Sequence, residues 1–196
     1  EPAYVAGHSL GEYSALVAAG ALEFPTALKL VKRRGELMAQ ADSGGMAAII
    51  SLDEPTLEAI CQEASTDGAQ VVIANYNAPG QLVLSGATQA IEQAIALAKG
   101  RGAKRAMPLK VSAAFHSPLM RAAAEGLASS ITAATIGDAR VPVISNVQAQ
   151  PIRTADEIRH ELAEQVTSPV RWIASVRAMA DAGVDTFIEI GPGSVL

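Results

Sequence analysis

The sequence predicts an α/β fold: a larger part built on a mostly parallel sheet, with a smaller block set into it. Three observations carry that expectation. The chain starts strand, tight turn, helix; its middle holds six short elements in the order β-α-β-β-α-β; and its last third again alternates helices with short apolar runs. Strands alternating with helices pair in parallel and carry helices on both faces. The β-α-β-β-α-β order instead makes a four-stranded antiparallel sheet with both helices on one face, the ferredoxin-like or split βαβ pattern.

The first strand is AYVAGH, residues 3–8, and the Ala- and Leu-rich run from Leu10 to Ala19 reads as a helix that Gly20 ends. A second helix is expected from about Pro25 to Ala41, with proline in its first turn and Leu28, Val31 and Leu37 at helical spacing; Arg34 lies on it. In the middle block the strands are MAAIIS, QVVIANY, QLVLSG and residues 103–111, and the helices are 54–65 and 88–99. NAPGQ, between the two central strands, is a turn signal consistent with a hairpin. The block 44–112 is therefore expected as a small inserted domain, and 1–43 with 113–196 as a discontinuous large one.

Beyond the block come a helix from about Pro118 to Ala133, a strand at VPVISNV, helices near 155–165 and 169–182, and a strand at TFIEIG ending in Gly-Pro-Gly. A doubly wound sheet normally places strands ahead of its central one, yet here the strand before the tight turn comes first. The expectation is a fragment of a longer natural protein.

Hydrophobic residues make up 49% of the chain, but no apolar run approaches the roughly 20 residues of a membrane span. A soluble protein is expected. The opening EPAYVAGHS lacks the basic start and apolar core of a secretory signal. Cys61 is the sole cysteine, so no intrachain disulfide can form and the usual Cys and His clusters of a zinc site are missing; the cytoplasm is the expected compartment. A net charge of −5 argues against a general nucleic-acid binder. Basic residues nonetheless gather at Lys29, Lys32, Arg33 and Arg34, and at Lys99, Arg101, Lys104, Arg105 and Lys110. These read either as solvated faces or as a local surface for an anion.

The first five letters of GHSLGEYSALVAAG have the form G-x-S-x-G. A serine hydroxyl attacks only if it is exposed, rigidly held and partnered by a base. A strand-to-helix elbow supplies the first two conditions and places the Leu10 N–H at a helix start, where it can donate to an oxyanion. Of the three histidines, His8 adjoins Ser9 and points the other way, and His160 lies in the polar helix ADEIRHELAEQ. His116, in AAFHSP at the return from the small domain, remains as the base. Asp42, Asp53 and Asp67 fall between Ser9 and His116 as candidates to orient the imidazole, with nothing to single one out; a backbone or amide carbonyl is the alternative.

Taken together, GHSLGEYSAL, RGELM, NAPGQ, AAFHSPLM, SNV, SPVRW and EIGPGSVL resemble the malonyl-CoA:acyl carrier protein transacylases of fatty acid synthesis and the acyltransferase domains of polyketide synthases, in order and along essentially the whole chain. The resemblance implies an α/β-hydrolase-like large domain with a ferredoxin-like small one. It implies that Ser9 takes the acyl group, that His116 is the base, and that Gln165 orients His116 through its backbone carbonyl. It also implies that Arg34 binds the free carboxylate of a malonyl group, a task suited to a guanidinium fork. Phe115 and Leu10 resemble the malonyl-selecting version of the family, and Gln81 matches a position near the pocket. The family's upstream Gly-Gln-Gly-Ser-Gln motif, source of a second oxyanion donor, and its final helices have no counterpart here, so reduced activity is expected of this stretch alone. The implied partners are malonyl-CoA and acyl carrier protein, the latter steered by the basic cluster, with no nucleic acid, membrane, metal or redox cofactor. A serine esterase or thioesterase using the same pair, or a non-catalytic acyl-binding module, are the rival readings.

Overall fold

In the computed structural model, which describes residues 1–111 and 113–191, the middle block forms a four-stranded antiparallel sheet. Its elements are β2 (Gly45–Ile50), α3 (Glu54–Ala64), β3 (Val71–Ala78), β4 (Gln81–Gly86), α4 (Thr88–Gly100) and β5 (Arg105–Pro108), and the strand order is β3-β4-β2-β5. Period-two alternation divides the sheet's faces. Ala47, Ile49, Leu82, Leu84 and Ala106 pack under Leu57 and Ile60 of α3 and Ile91 and Ala94 of α4 in one apolar cluster. On the other face Met46, Ala74 and Val83 meet Phe115. A two-residue turn at Pro79 and Gly80, with Gly80 at φ 72°, joins β3 to β4.

Around this block stand β1 (Val5–Ala6), α1 (Gly11–Ala18), α2 (Phe24–Ala39), a 3₁₀ turn (Pro118–Met120), α5 (Arg121–Ala133), β6 (Val143–Ile144), β7 (Pro151–Ile152), α6 (Ala155–Glu164) and α7 (Trp172–Asp181). Tyr13 and Leu16 of α1, Leu30 and Leu37 of α2, Leu127 and Ile131 of α5, and Ile158 and Leu162 of α6 share a second core with Val143. The expected α/β class stands, with mixed rather than mostly parallel pairing. β1 runs parallel to β6, but β7 folds back antiparallel on β6 after a short turn.

Other expectations need correction. VPVISNV narrows to two strand residues, because Ser145, Asn146 and Val147 leave the strand to hydrogen bond with side chains of α1 and α6. Residues 186–190 of the expected strand TFIEIG have no regular structure and expose Phe187, Ile188 and Ile190; 192–196, including the rest of Gly-Pro-Gly, lie outside the described residues. On α2 it is Leu30, not Leu28, that faces the core, and Leu28 is 56% exposed.

A strap of backbone hydrogen bonds ties the sheet of the middle block to the segment after α6. A register shift in β3 between Ile73 and Asn75 turns backbone outward, and Val170 pairs there in parallel: Val170 N–H donates to Ala74 O (2.8 Å) and Tyr76 N–H to Val170 O (2.9 Å). Arg171 N–H donates to Asn146 O at 2.9 Å, so the segment after α6 is held from both sides.

Candidate active site

The turn between β1 and α1 is tight. Gly11 N–H donates to His8 O (2.9 Å) and Glu12 N–H to Ser9 O (3.1 Å), while Ser9 sits in the left-handed region at φ 53°. Such a backbone in a non-glycine residue is strained, and surrounding structure must hold it there. The two glycines of the motif differ. A Cβ on Gly7 would lie 2.0 Å from Gly11 carbonyl atoms, whereas one on Gly11 would meet nothing within 4 Å. Only the first is required by close approach. The Leu10 N–H has no acceptor among the described residues and sits at the start of α1, where the helix dipole favours negative charge.

Ser9 Oγ lies 2.7 Å from His116 Nε2, although 107 residues separate them. His116 is buried, also in the left-handed region at φ 57°, on the segment that leads from β5 to the 3₁₀ turn. Its Nδ1 faces two carbonyls, Gln165 O at 2.9 Å and Ser168 O at 3.1 Å. Carbonyls only accept, so Nδ1 carries the hydrogen and Nε2 presents its lone pair to the serine. The strap through Val170 fixes both carbonyls. Burial first, then the nearby Arg34 charge, push the His116 pKa down to about 4, so the ring is neutral near pH 7.

Arg34 enters from α2. Its Nη2 donates to Ser9 Oγ at 2.9 Å and to Gln165 Oε1 at 3.3 Å, and its Nε is buried without a hydrogen-bond partner among the described residues. Burial lowers its pKa, opposed by the neighbouring Tyr13 and Glu12 side chains. A buried guanidinium with an unused N–H beside a hydroxyl and an imidazole has the donor chemistry to accept a carboxylate. Arg34 is thereby separated from its basic neighbours: Lys29 and Lys32 are exposed, and Lys32 and Arg33 pair loosely with Glu36.

Three residues of this site carry no signal in composition or spacing that assigns them a role. Asn146 Oδ1 accepts the Ser9 N–H (2.7 Å) while its Nδ2 donates to Gly7 O (2.8 Å), so one side-chain amide clamps both sides of the strained turn. Glu12, fully buried, accepts from Asn146 N (2.9 Å), Asn146 Nδ2 (3.0 Å) and Gln165 Nε2. Glu161 accepts from Val147 N (3.0 Å) and the Ser145 hydroxyl. Burial and then the Glu161 charge raise the Glu12 pKa well above the usual carboxylate range. A carboxylate three residues after the serine, on the helix that otherwise buries Tyr13, Ala15 and Leu16, is the one visible hint.

The remaining candidates fall elsewhere. His8 Nε2 lies 2.8 Å from Asn77 Oδ1 and its ring meets Trp172 edge-on, away from Ser9 Oγ. His160 is exposed beside Glu164. Asp42, Asp53 and Asp67 are exposed, Asp53 capping α3 through the Thr56 N–H; two carbonyls take the place of an acid at His116. Phe115 packs between the core of α1, α2, α5 and α6 and the Met46–Ala74–Val83 face of the sheet, next to His116 in sequence. Gln81 opens β4 opposite Ile50 and Ala78 and makes no side-chain hydrogen bond to this cluster among the described residues. Lys99, Arg101, Lys104, Arg105 and Lys110 are all exposed, with Arg101 paired to Glu63.

Residues 1–196 match a family described as "acyl transferase domain". A malonyl CoA-acyl carrier protein transacylase of Bacillus subtilis is 50% identical over 198 residues, covering 100% of this chain and 62% of its own length. The chain thus spans less than two thirds of that relative. An acyl-carrier-protein S-malonyltransferase structure from Burkholderia pseudomallei superposes with a TM-score of 0.96 at 44% identity, covering 99% of this chain and 64% of its own. A type II polyketide synthase acyl-carrier protein in complex with its malonyl-transacylase gives 0.95 at 42% identity, covering 100% and 64%.

Proposed function

Because the chain belongs to the acyl transferase domain family, we propose that its protein moves a malonyl group from coenzyme A to the phosphopantetheine thiol of an acyl carrier protein, through a malonyl ester on Ser9. The observation that carries this reading is Arg34, buried and hydrogen-bonded to the Ser9 hydroxyl. A guanidinium in that place grips the free carboxylate of malonyl and sets the thioester carbon over Ser9 Oγ. An acetyl group offers it nothing, and a buried cation left without a counter-charge costs several kcal/mol.

In the first half-reaction the Ser9 proton passes to His116 Nε2 as Oγ bonds to the thioester carbon. The carbonyl oxygen becomes an oxyanion facing the Leu10 N–H. Collapse breaks the C–S bond, and the coenzyme A thiolate takes the proton from His116. In the second, the carrier thiol gives its proton to His116, its sulfur attacks the ester carbon, and Ser9 leaves and recovers that proton. Both halves balance with these groups alone, so the cycle calls for no metal or redox cofactor. Gln165 orients His116 through its carbonyl. Phe115, beside the base, crowds a branched acyl group, and Leu10, 49% exposed beside the nucleophile, matches the malonyl-selecting form of the family; a substrate-binding role for Gln81 is supported by the resemblance alone.

We further propose that residues 1–43 and 113–196 make an α/β-hydrolase-like domain and 44–112 a ferredoxin-like one, supported by the β3-β4-β2-β5 order and the two separate cores. The exposed lysines and arginines around β5 steer an acidic carrier protein. The single buried thiol, Cys61, suits the cytoplasm.

The test supplies malonyl-CoA and phosphopantetheinylated carrier protein to the natural protein that contains this chain. Malonyl-carrier protein is the expected product. Free malonate with no malonyl-carrier protein assigns a hydrolase instead, and neither product assigns a binding module.

A further inference from the structure

The geometry points to Glu12 as a positioning residue that couples the carboxylate-binding Arg34 to the nucleophile, an inference that rests on the transfer reading above. Its carboxylate touches none of the reacting atoms. It acts through two side-chain amides, and each leads to a different part of the site.

The first arm is Asn146. Glu12 Oε1 accepts from both its backbone N–H (2.9 Å) and its Nδ2 (3.0 Å), which aims Asn146 Oδ1 at the Ser9 N–H, 2.7 Å away. The second arm is Gln165. Its Nε2 donates to Glu12 Oε2 and to Ser9 O (3.0 Å), which turns Oε1 toward Arg34 Nη2 at 3.3 Å. An amide has one donor end and one acceptor end, so the two acceptors on Nε2, Glu12 Oε2 and Ser9 O, together decide which end meets Arg34. A donor at residue 12 would oppose that orientation and weaken the acceptor that Gln165 presents to the guanidinium.

Filling space is a poor reason for a carboxylate here. The other buried residues of α1, Tyr13, Ala15 and Leu16, pack without ionisable acids, and a buried carboxyl is costly unless donors surround it. Three N–H donors do so, all from the two residues that reach Ser9 and Arg34. Glu161 closes the far side of the Ser145–Val147 turn, holding Asn146 in place from below.

The readout is the ratio of kcat/KM for malonyl-CoA to that for acetyl-CoA. It does not depend on the fraction of protein that is folded. Wild type must first favour malonyl-CoA and form malonyl-carrier protein; failure there sinks the transfer reading, before Glu12 is tested. Glu12→Gln is then expected to slow both substrates and to lower the ratio at least tenfold. Gln165→Met, which keeps the carbonyl at His116 but cuts the arm to Arg34, is expected to lower it similarly, and the double variant no further than either single one. An unchanged ratio in Glu12→Gln, or losses that multiply in the double variant, overturns the proposal. If Glu12→Gln does not fold, Gln165→Met decides alone: a lowered ratio supports the coupling and an unchanged one overturns it.

Discussion

Ser9 Oγ and His116 Nε2 stand 2.7 Å apart, each on a residue with positive φ, 53° and 57°. Both halves of the pair are therefore held in strained backbone, and both are pinned by residues distant in sequence: Ser9 by Asn146, and His116 by the carbonyls of Gln165 and Ser168.

The pH dependence of acyl-enzyme formation should be displaced to acid. The base works only when neutral, and its pKa is pushed down to about 4 rather than 6.5. The single-turnover rate with malonyl-CoA is expected to be flat from pH 8 to about 5 and to fall below about pH 4. A half-maximal rate near pH 6.5 would mean that the imidazole is solvated as in a free histidine.

Stability carries the same signature. Between about pH 4 and 6.5 the unfolded chain binds a proton at His116 that the folded protein does not. Stability contributed by the neutral ring is thus present above pH 6.5 and lost as pH falls toward 4, by up to roughly 3 kcal/mol. Urea unfolding of wild type and His116→Ala at pH 6.5 and 4.5 isolates it: the gap between the two proteins should shift toward the variant at the lower pH.

Arg34→Ala should lower kcat/KM for malonyl-CoA about 10²- to 10³-fold, the worth of charge-assisted hydrogen bonds in a buried site. Activity toward acetyl-CoA should hold or rise, because the guanidinium also releases Ser9 Oγ. Arg34→Lys should recover little, since Nη2 already serves Ser9 Oγ and Gln165 Oε1 and a compact ammonium lacks the further planar N–H groups that grip a carboxylate in two places. Steady-state kinetics with both thioesters checks this.

The two glycines of G-x-S-x-G should respond oppositely to alanine. At Gly7 the new methyl would meet Gly11 backbone at 2.0 Å, so the turn must open and thermal unfolding should fall steeply. At Gly11, in the first turn of α1, there is open space and no positive φ. Gly11→Ala should be neutral or stabilise by about 0.5–1 kcal/mol.

If the basic face around β5 steers the carrier protein, raising ionic strength should weaken the carrier-dependent KM while leaving acylation by malonyl-CoA less affected. Lys104→Glu with Lys110→Glu should reproduce that effect at low salt. Both side chains are exposed, so folding should not suffer.

What was legible in the sequence is what local physics determines. The β-α-β-β-α-β block follows from apolar periodicity, and each element sits within a few residues of its expected place. The elbow is legible because a glycine, a serine and an Ala-rich helix follow a strand. Elimination among three histidines pointed to His116 as the base, while the roles expected of Arg34 and Gln165 came from resemblance, because periodicity cannot give them. Hidden from any local reading were pairings made across the chain. β7 is a two-residue strand beginning with proline, below the length at which alternation can be seen. Val143–Ile144 stops short because Asn146 is drawn to Glu12, 134 residues away. Glu12 and Glu161 look like surface acids until burial is known.

The most direct test of Ser9 and His116 as an acyl-transfer pair is intact-mass analysis after brief incubation with malonyl-CoA, followed by peptide mapping. Wild-type protein is expected to gain the mass of one malonyl group, mapped to Ser9 and discharged by carrier protein thiol; Ser9→Ala should gain none, and His116→Ala should gain it far more slowly. A malonyl adduct on any other residue, or one that persists unchanged in Ser9→Ala, would contradict the assignment.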